Sequence, residues 1–372
     1  MLFANTDWYL YNFRCSLAQA LRAAGYDVLL LSPPGPYGEK LIARGFRWEA
    51  VPMDRRSLNP LREAALLVYL VRLLRRERPA LVHSFTIKCA VYGSLAARLA
   101  GVPARVNAVA GMGYVFTSTD LKARLLRLPV RILLRLALGG PSARLVLQNP
   151  DDVAMFRRAS LVADDQVRLI PGSGVDLRRF VPSVRTREPG SAMTVLVAAR
   201  LLWDKGLAEF VDAIRLLRSQ GRELTFFLAG TPDPGNPAAV PEETVRAWVS
   251  DGLLVWLGHV DDMPGLFSSV DVVVLPSYRE GLPKSLIEAA ACALPLVTTD
   301  VPGCREVVTD GLDGLLVPAR NSVHLANAIA RIQDDPALGK ALGAAAREKA
   351  IAVFDERVVC QATLAVYREL LG

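Results

Sequence analysis

Two glutamates eight residues apart, Glu280 and Glu288 in the segment EGLPKSLIE, have the residue type and spacing to hold a polyhydroxylated ligand. The stretch before them, DVVVLPS, reads as a buried strand ending at Leu275; a turn then holds Ser277 to Gly281, and Pro283 marks a helix start. Open parallel sheets bind ligands outside the carboxyl ends of their strands, which puts Glu280, Gly281 and Leu282 on the binding edge. The helix that follows offers amides to an anion. Pro283 has none to donate, so Lys284 and Ser285 are the expected donors. Glu288 falls on the second turn, where an ionised carboxylate can accept two hydrogen bonds from a vicinal diol such as a ribose. By spacing alone, the commoner source of this pattern is a solvated glutamate favoured by the helix dipole. The rest of the chain has to decide.

Short apolar runs alternate with longer helical patterns: YDVLLLS, ALVHSF, ARVNAV and RLVLQN, then TVLVAAR, LTFFLAG, LVWLGHV, DVVVLPS and LPLVTTD. That rhythm predicts βαβ units and parallel sheets. The polar, proline-bearing stretch VPSVRTREPGSA interrupts it and predicts a linker between a domain over 1–180 and a second over 181–372. A chain of 372 residues is large enough for two cores. Only Met1 to Ala4 precede a polar loop, so the first strand is short or the start is late.

Residues 1–180 hold 26 Lys and Arg against 13 Asp and Glu, whereas the remainder holds 18 against 24. The first half is therefore the one suited to anions. No apolar run approaches the roughly 20 residues that span a bilayer, and MLFANTDWYL lacks the basic region and cleavage site of a signal peptide, which predicts a cytoplasmic protein. The five cysteines form no CxxC pair, which argues against disulfides and zinc. No DxD occurs, so no metal or other cofactor is expected, and a high isoelectric point without a nucleic-acid motif does not predict nucleic-acid binding.

Around the glutamate pair stand AARLLWDKG (198–206), LGHVDDMPGLF (257–267) and TDVPGCREVVTDGLDGLLVP (299–318), in that order. Together with E-x7-E they resemble the retaining glycosyltransferases of family 4, over nearly the whole chain. The likeness is strongest to the branch that builds polyprenyl-diphosphate-linked oligosaccharides, including N-acetylgalactosaminyltransferases. The resemblance implies an α/β chain of GT-B fold, with two Rossmann-like domains whose parallel sheets face across a cleft; the last helix is expected to cross back to the N-terminal domain. It further implies that Arg200 and Lys205 neutralise the donor diphosphate, that Glu288 holds the ribose and Glu280 the transferred sugar, and that His259 lies near the uracil. A lone histidine is equally well a structural one. Front-face attack with retention is implied, the departing diphosphate helping to take the acceptor proton, so that the protein mainly positions reactants and stabilises charge.

In the first half, the loop after strand one reads NTDWYLYNFR. An aromatic loop ending in Phe-Arg fits the lipid-linked branch; Arg14 can meet acceptor phosphate, and Asp7 or Asn12 acceptor hydroxyls, while Trp8, Tyr9 and Phe13 equally suit a core. His83 and Lys88 follow a strand and so approach the cleft, Lys88 matching a lysine of the branch. Gly111 and Gly113 end another strand and permit close backbone approach. The family's frequent histidine near Ala110 is absent. From Leu121 to Leu138, Arg124, Arg127, Arg131 and Arg135 recur at three- and four-residue steps beside leucines, and LLVYLVRLLRRERP has a similar mix. This is the pattern of a helix at an anionic membrane surface, and also of a solvated arginine face over a packed leucine face.

The expected activity is transfer of a hexosyl group, an N-acetylhexosamine, from a UDP-sugar to a polyprenyl-diphosphate-linked saccharide at the inner face of the cell membrane. The alternatives are a non-catalytic subunit that binds nucleotide sugar or lipid, and a nucleotide-sugar epimerase of the same fold.

Overall fold

The computed structural model describes all residues except 56, 58, 110–120, 184–190 and 234, and describes residues 121–129 by backbone alone. Two compact units result, one from Met1–Ser173 with Glu356–Gly372, the other from Gly174–Asp355.

The first unit holds β1 (Leu2–Phe3), β2 (Leu29–Ser32), β3 (Arg47–Ala50), β4 (Leu81–Phe85), β5 (Ala104–Ala108), β6 (Ala143–Leu147) and β7 (Val167–Leu169). They form one parallel sheet in the order β3-β2-β1-β4-β5-β6-β7, so the winding reverses between β1 and β4. β1 is only two residues long, yet it lies inside the sheet between β2 and β4, with Leu2 in register with both Leu30 and His83. The segment after it is not a loop. Thr6 accepts a hydrogen bond from the Tyr9 amide at 3.1 Å and starts helix over Asp7–Tyr9, which continues as a π-helical turn over Leu10–Arg14 and then as α-helix over Cys15–Ala23. Wide turns of this kind occur mostly as single insertions in helices, frequently at functional sites. The helix Glu356–Leu371 packs on the same sheet face as Cys15–Ala23, through Val359, Cys360, Leu364 and Tyr367.

Three helices, Pro60–Glu77, Ile87–Ala100 and Leu121–Leu138, pack against one another in succession. Asn59 caps the first, accepting from the Leu61 amide at 3.0 Å with Pro60 at the position where an amide is not needed. The last carbonyls of the third are met by Arg98 on Leu136 and by Arg105 on Gly139 at 3.2 Å, cations where the helix dipole is negative. Among the described residues, no helix is long and apolar enough to cross a membrane.

The second unit holds β8 (Met193–Ala198), β9 (Leu224–Ala229), β10 (Val255–Gly258), β11 (Val272–Leu275), β12 (Leu296–Thr299) and β13 (Leu315–Val317). All pair in parallel in the order β10-β9-β8-β11-β12-β13, with the reversal between β8 and β11. Alternate residues feed two cores: Val195 and Val197 pack with Phe210, Ile214 and Phe226, while Leu196 and Ala198 pack with Leu275, Leu286 and Ile287. Burial on both faces is why these strands read as unbroken apolar runs.

Candidate functional site

In the second unit the reversal between β8 and β11 leaves a crevice at the carboxyl ends of both strands, and the sequence fills it from each side. After β8 the chain makes a short 3₁₀ turn, Trp203–Lys205, that closes on Gly206 at φ +70°. After β11 it makes the turn holding Ser277 and Glu280. The Tyr278 amide donates to the Asp204 carbonyl at 2.9 Å, and the Glu280 amide to the Pro302 carbonyl at 3.1 Å, so three loops converge. The Lys205 ammonium donates to Glu280 Oε1, and Ser277 Oγ donates to the same oxygen at 2.7 Å. Both ends of this ion pair are largely buried, at 16 and 12 % side-chain exposure. Tyr278 is tied down separately, its hydroxyl donating to Glu209 at 2.8 Å while Arg320 stacks 4.2 Å from its ring.

The helix that begins beyond the turn is Lys284–Ala291, with Pro283 at its N-cap and no side-chain cap on its first amides. The amides of Lys284 and Ser285 therefore stand where an anion would need them. Glu288 lies one turn on, 3.9 Å from Lys284 Nζ and only 13 % exposed. Burial raises its carboxyl above the ordinary 4.5, outweighing the nearby charges of Lys284 and Arg179. The Arg179 guanidinium approaches the Asp261 carbonyl at 3.4 Å and its charge acts on Glu288, while the exposed His259 has its Nε2 3.2 Å from Asp261 Oδ1. Leu282 packs against the core behind the turn, beside the half-buried Gly281.

Arg200 is the outlier. It lies just past β8 but is 65 % exposed and pairs with Asp233 at 3.2 Å. An exposed pair is worth about 0–1 kcal/mol, too little to hold the guanidinium against a diphosphate. Burial, with the nearby Glu280 charge adding to it, pushes the Cys304 thiol up to about 12 and leaves it protonated rather than nucleophilic.

The first unit places its candidates differently. Asp7 is buried, its Oδ2 accepting from the Tyr37 and Gly38 amides at 2.6 and 3.0 Å and its Oδ1 from the Trp8 amide at 2.8 Å. Gly35 has to lack a side chain because a Cβ there would meet that carboxylate. Asn12 is exposed and donates to the Trp8 carbonyl at 3.0 Å. Lys88 donates to the carbonyls of Asp54 and Ser57 at 2.7 and 2.9 Å and pairs with Glu63 at 2.7 Å. His83 does not follow a strand; it sits within β4, buried, with Nδ1 2.6 Å from the Tyr367 hydroxyl. Arg14 is buried beside it, its guanidinium 4.3 Å from the centre of the Phe85 ring. Gly111 and Gly113 lie outside the described residues, as do the side chains of Arg124 and Arg127. Arg131 and Arg135 are exposed, alongside Ile132 and Leu136.

Sequence reasoning missed Ser277, Asp233 and Arg179. The first was legible as a hydroxyl three residues before Glu280; the other two act from loops whose contacts only the fold creates.

Two family models match. One, described as glycosyl transferases group 1, covers residues 192–335, and another, glycosyl transferase 4-like, covers residues 1–148. The chain is 28 % identical over 372 residues to the N,N'-diacetylbacillosaminyl-diphospho-undecaprenol alpha-1,3-N-acetylgalactosaminyltransferase of Campylobacter jejuni, covering 97 % of this chain and 96 % of that one. It is 27 % identical over 298 residues to an Escherichia coli UDP-Gal:alpha-D-GlcNAc-diphosphoundecaprenol alpha-1,3-galactosyltransferase, covering 77 and 75 %. Among solved structures it is similar to the Thermosynechococcus elongatus sucrose-phosphate synthase, with TM-score 0.82 and 22 % identity over 99 and 98 % of the two chains. The Anabaena protein HepE in complex with UDP-glucose matches at TM-score 0.81 and 20 % identity, over 99 % of each chain.

Proposed function

The chain belongs to the family 4 glycosyltransferases of GT-B fold, and on that premise we propose that it transfers a hexosyl group, an N-acetylhexosamine, from a UDP-sugar to a polyprenyl-diphosphate-linked saccharide with retention at the anomeric carbon. The reading rests on one observation above the others: Lys205 and Glu280 meet at the β8/β11 reversal while the largely buried Glu288 stands behind a helix start without a side-chain cap. The activities of the two bacterial relatives, both on undecaprenyl-diphosphate-linked sugars, support the acceptor class.

In this reading Glu288 accepts hydrogen bonds from the ribose hydroxyls and His259 borders the uracil. Gly281, Leu282, Lys284 and Ser285 line the donor from the turn into the helix. Glu280 holds the transferred sugar, and Lys205, with Arg200 swung away from Asp233, stabilises the charge that grows on the departing diphosphate. The chemistry asks for no metal. In the first unit the acceptor is met by residues of the segments after β1 and around β4, among Asn12, Arg14, His83 and Gly111, while Asp7 and Lys88, engaged by loop backbone, hold those segments in place. The exposed arginines of Leu121–Leu138 bring the protein to the anionic inner face of the cell membrane, where a lipid-linked acceptor resides.

Purified protein incubated with a panel of UDP-sugars and short-chain polyprenyl-diphosphate saccharides, with mass spectrometry of the products, tests the reading. A product heavier than the acceptor by one hexosamine, formed equally in the presence of a chelator, is the expected result. UDP-sugar binding without transfer would assign the chain to the non-catalytic role instead, and donor interconversion without acceptor would assign it to the epimerases.

A further inference from the structure

The two stretches of chain that meet at the β8/β11 reversal are joined by more than the charged pair. The Lys205 ammonium donates to Glu280, the Tyr278 amide donates to the Asp204 carbonyl at 2.9 Å, and the Tyr278 hydroxyl lies 2.8 Å from each oxygen of the Glu209 carboxylate. Tyr278 is thus held at both ends, by its backbone and by its phenol, against the segment that carries Lys205. Glu209 stands in the first turn of the helix Leu207–Ser219, where the helix dipole favours a carboxylate. That helix starts directly after Lys205 because Gly206 adopts a left-handed backbone between them. Lys205 and Glu209 therefore belong to one short, ordered piece of chain, as Tyr278 and Glu280 belong to one turn.

The phenol is a durable donor. Burial, with the Glu209 hydrogen bond adding to it, pushes the Tyr278 hydroxyl up to about 12, so it keeps its proton at neutral pH. A hydrogen bond from a neutral hydroxyl to a carboxylate is charge-assisted and stronger than one between neutral groups. The ring is held as well, from the loop after β13. Arg320 adopts φ +59°, strained for a residue with a side chain, and its guanidinium lies 4.2 Å from the centre of the Tyr278 ring. Arg320 makes no ion pair among the described residues, so the ring is the contact this strained backbone serves. Tyr278, Glu209 and Arg320 are not among the groups that meet donor or acceptor in the proposed reaction.

We infer that Tyr278 is a positioning residue: tied by its phenol to Glu209 and covered by Arg320, it fixes where Glu280 stands relative to Lys205, so that one holds the transferred sugar while the other faces the departing diphosphate. Glu209 and Arg320 act through it. The consequence for turnover rests on the proposed transfer activity; the positioning itself does not. Without the phenol the turn keeps its backbone hydrogen bonds to Asp204 and Pro302, so the chain still folds. The charged pair is then free to shift, and a misplacement of about 1 Å costs up to about 100-fold in rate.

The test uses the full chain, assayed well below the melting temperature of each variant. Tyr278→Phe removes the hydroxyl and nothing else; it should lower kcat for sugar transfer about tenfold while the donor KM stays within about twofold of wild type. Glu209→Ala should do the same, whereas Glu209→Gln, which keeps a carbonyl to accept from the phenol, should recover most of that loss. Arg320→Met should fall between wild type and Tyr278→Phe. A readout independent of turnover is the Lys205→Ala, Glu280→Ala double-mutant cycle, measured by denaturant unfolding in wild type and again in Tyr278→Phe. Its coupling should fall by at least about half without the phenol. Wild-type kcat in Tyr278→Phe with undiminished coupling would overturn the proposal, as would Glu209→Gln no better than Glu209→Ala. A raised donor KM at unchanged kcat would overturn it in favour of a donor-binding role. If Tyr278→Phe does not fold, the two Glu209 variants decide by the same comparison. If wild type transfers no sugar, the proposed activity fails, and the cycle alone supports or rejects the positioning role.

Discussion

Lys205 and Glu280, 75 residues apart in the chain, share one largely buried ion pair at the point where the second sheet reverses. Breaking a pair of this kind from one side leaves the other charge desolvated and uncompensated. Lys205→Ala should therefore cost on the order of 3 kcal/mol, and adding Glu280→Ala should recover part of that loss. A denaturant-unfolding double-mutant cycle measures the coupling; additive losses would show that the two charges are independently solvated.

The two glutamates should separate kinetically. Glu280→Ala should lower kcat by about 100-fold or more, as loss of a positioned transition-state contact does, while leaving the donor KM nearly unchanged. Glu288→Ala should instead raise the donor KM. The raised carboxyl of Glu288 adds a pH signature. Because its folded value lies above the unfolded 4.5, its contribution to stability is fully present below 4.5 and is lost as pH rises through the folded value. Donor affinity runs the opposite way, rising over that interval as the carboxylate becomes able to accept from the ribose. Glu288→Gln should flatten both profiles; a wild-type donor affinity independent of pH from 4 to 7 would count against the assignment.

Two glycines fix the convergence of loops. A Cβ on Gly206, at φ +70°, would run into the Pro276 carbonyl, and one on Gly303, at φ +80°, would stand 2.6 Å from the Glu280 carbonyl. Gly206→Ala and Gly303→Ala should each cost at least about 2 kcal/mol and cut turnover with it, since both push on the turn that aims Glu280. Gly221 has a similar φ, +71°, but open space around it. Gly221→Ala should cost only about 1–2 kcal/mol and leave turnover unchanged. Thermal melts and initial rates of the three variants check the contrast.

Much of this arrangement was legible from the residues. The apolar runs gave parallel strands because buried strands have no polar face to break them, and the turn before Pro283 placed Glu280 at a strand end. The NTDWYLYNFR segment misled because its polar opening, Asn5 and Thr6 directly after a very short strand, reads as a loop, whereas the Thr6 cap and the π turn that brings Arg14 inward are local conformational choices with little composition signal. The relation of His83 to Tyr367 spans 284 positions, and nothing in either neighbourhood announces it. The acceptor candidates Asp7 and Lys88 have the right chemical type, but their hydrogen-bonding capacity is engaged by loop backbone, a fact that only three-dimensional partners reveal.

The helices Pro60–Glu77, Ile87–Ala100 and Leu121–Leu138 pack in succession, and on the last of them Arg131 and Arg135 are exposed next to Ile132 and Leu136. An arginine near an anionic bilayer contributes about 1 kcal/mol, so Arg131→Gln with Arg135→Gln should weaken partition onto phosphatidylglycerol vesicles roughly 30-fold. Adding Arg124→Gln and Arg127→Gln should weaken it further if their side chains share that surface. The apolar members act through acyl contact instead, so Ile132→Ser with Leu136→Ser should lower partition onto anionic vesicles in a way that added salt does not mimic. Vesicle sedimentation across a salt series separates the two contributions. Equal sedimentation of wild type and the arginine variants at low salt would mean that this surface is only a solvated face.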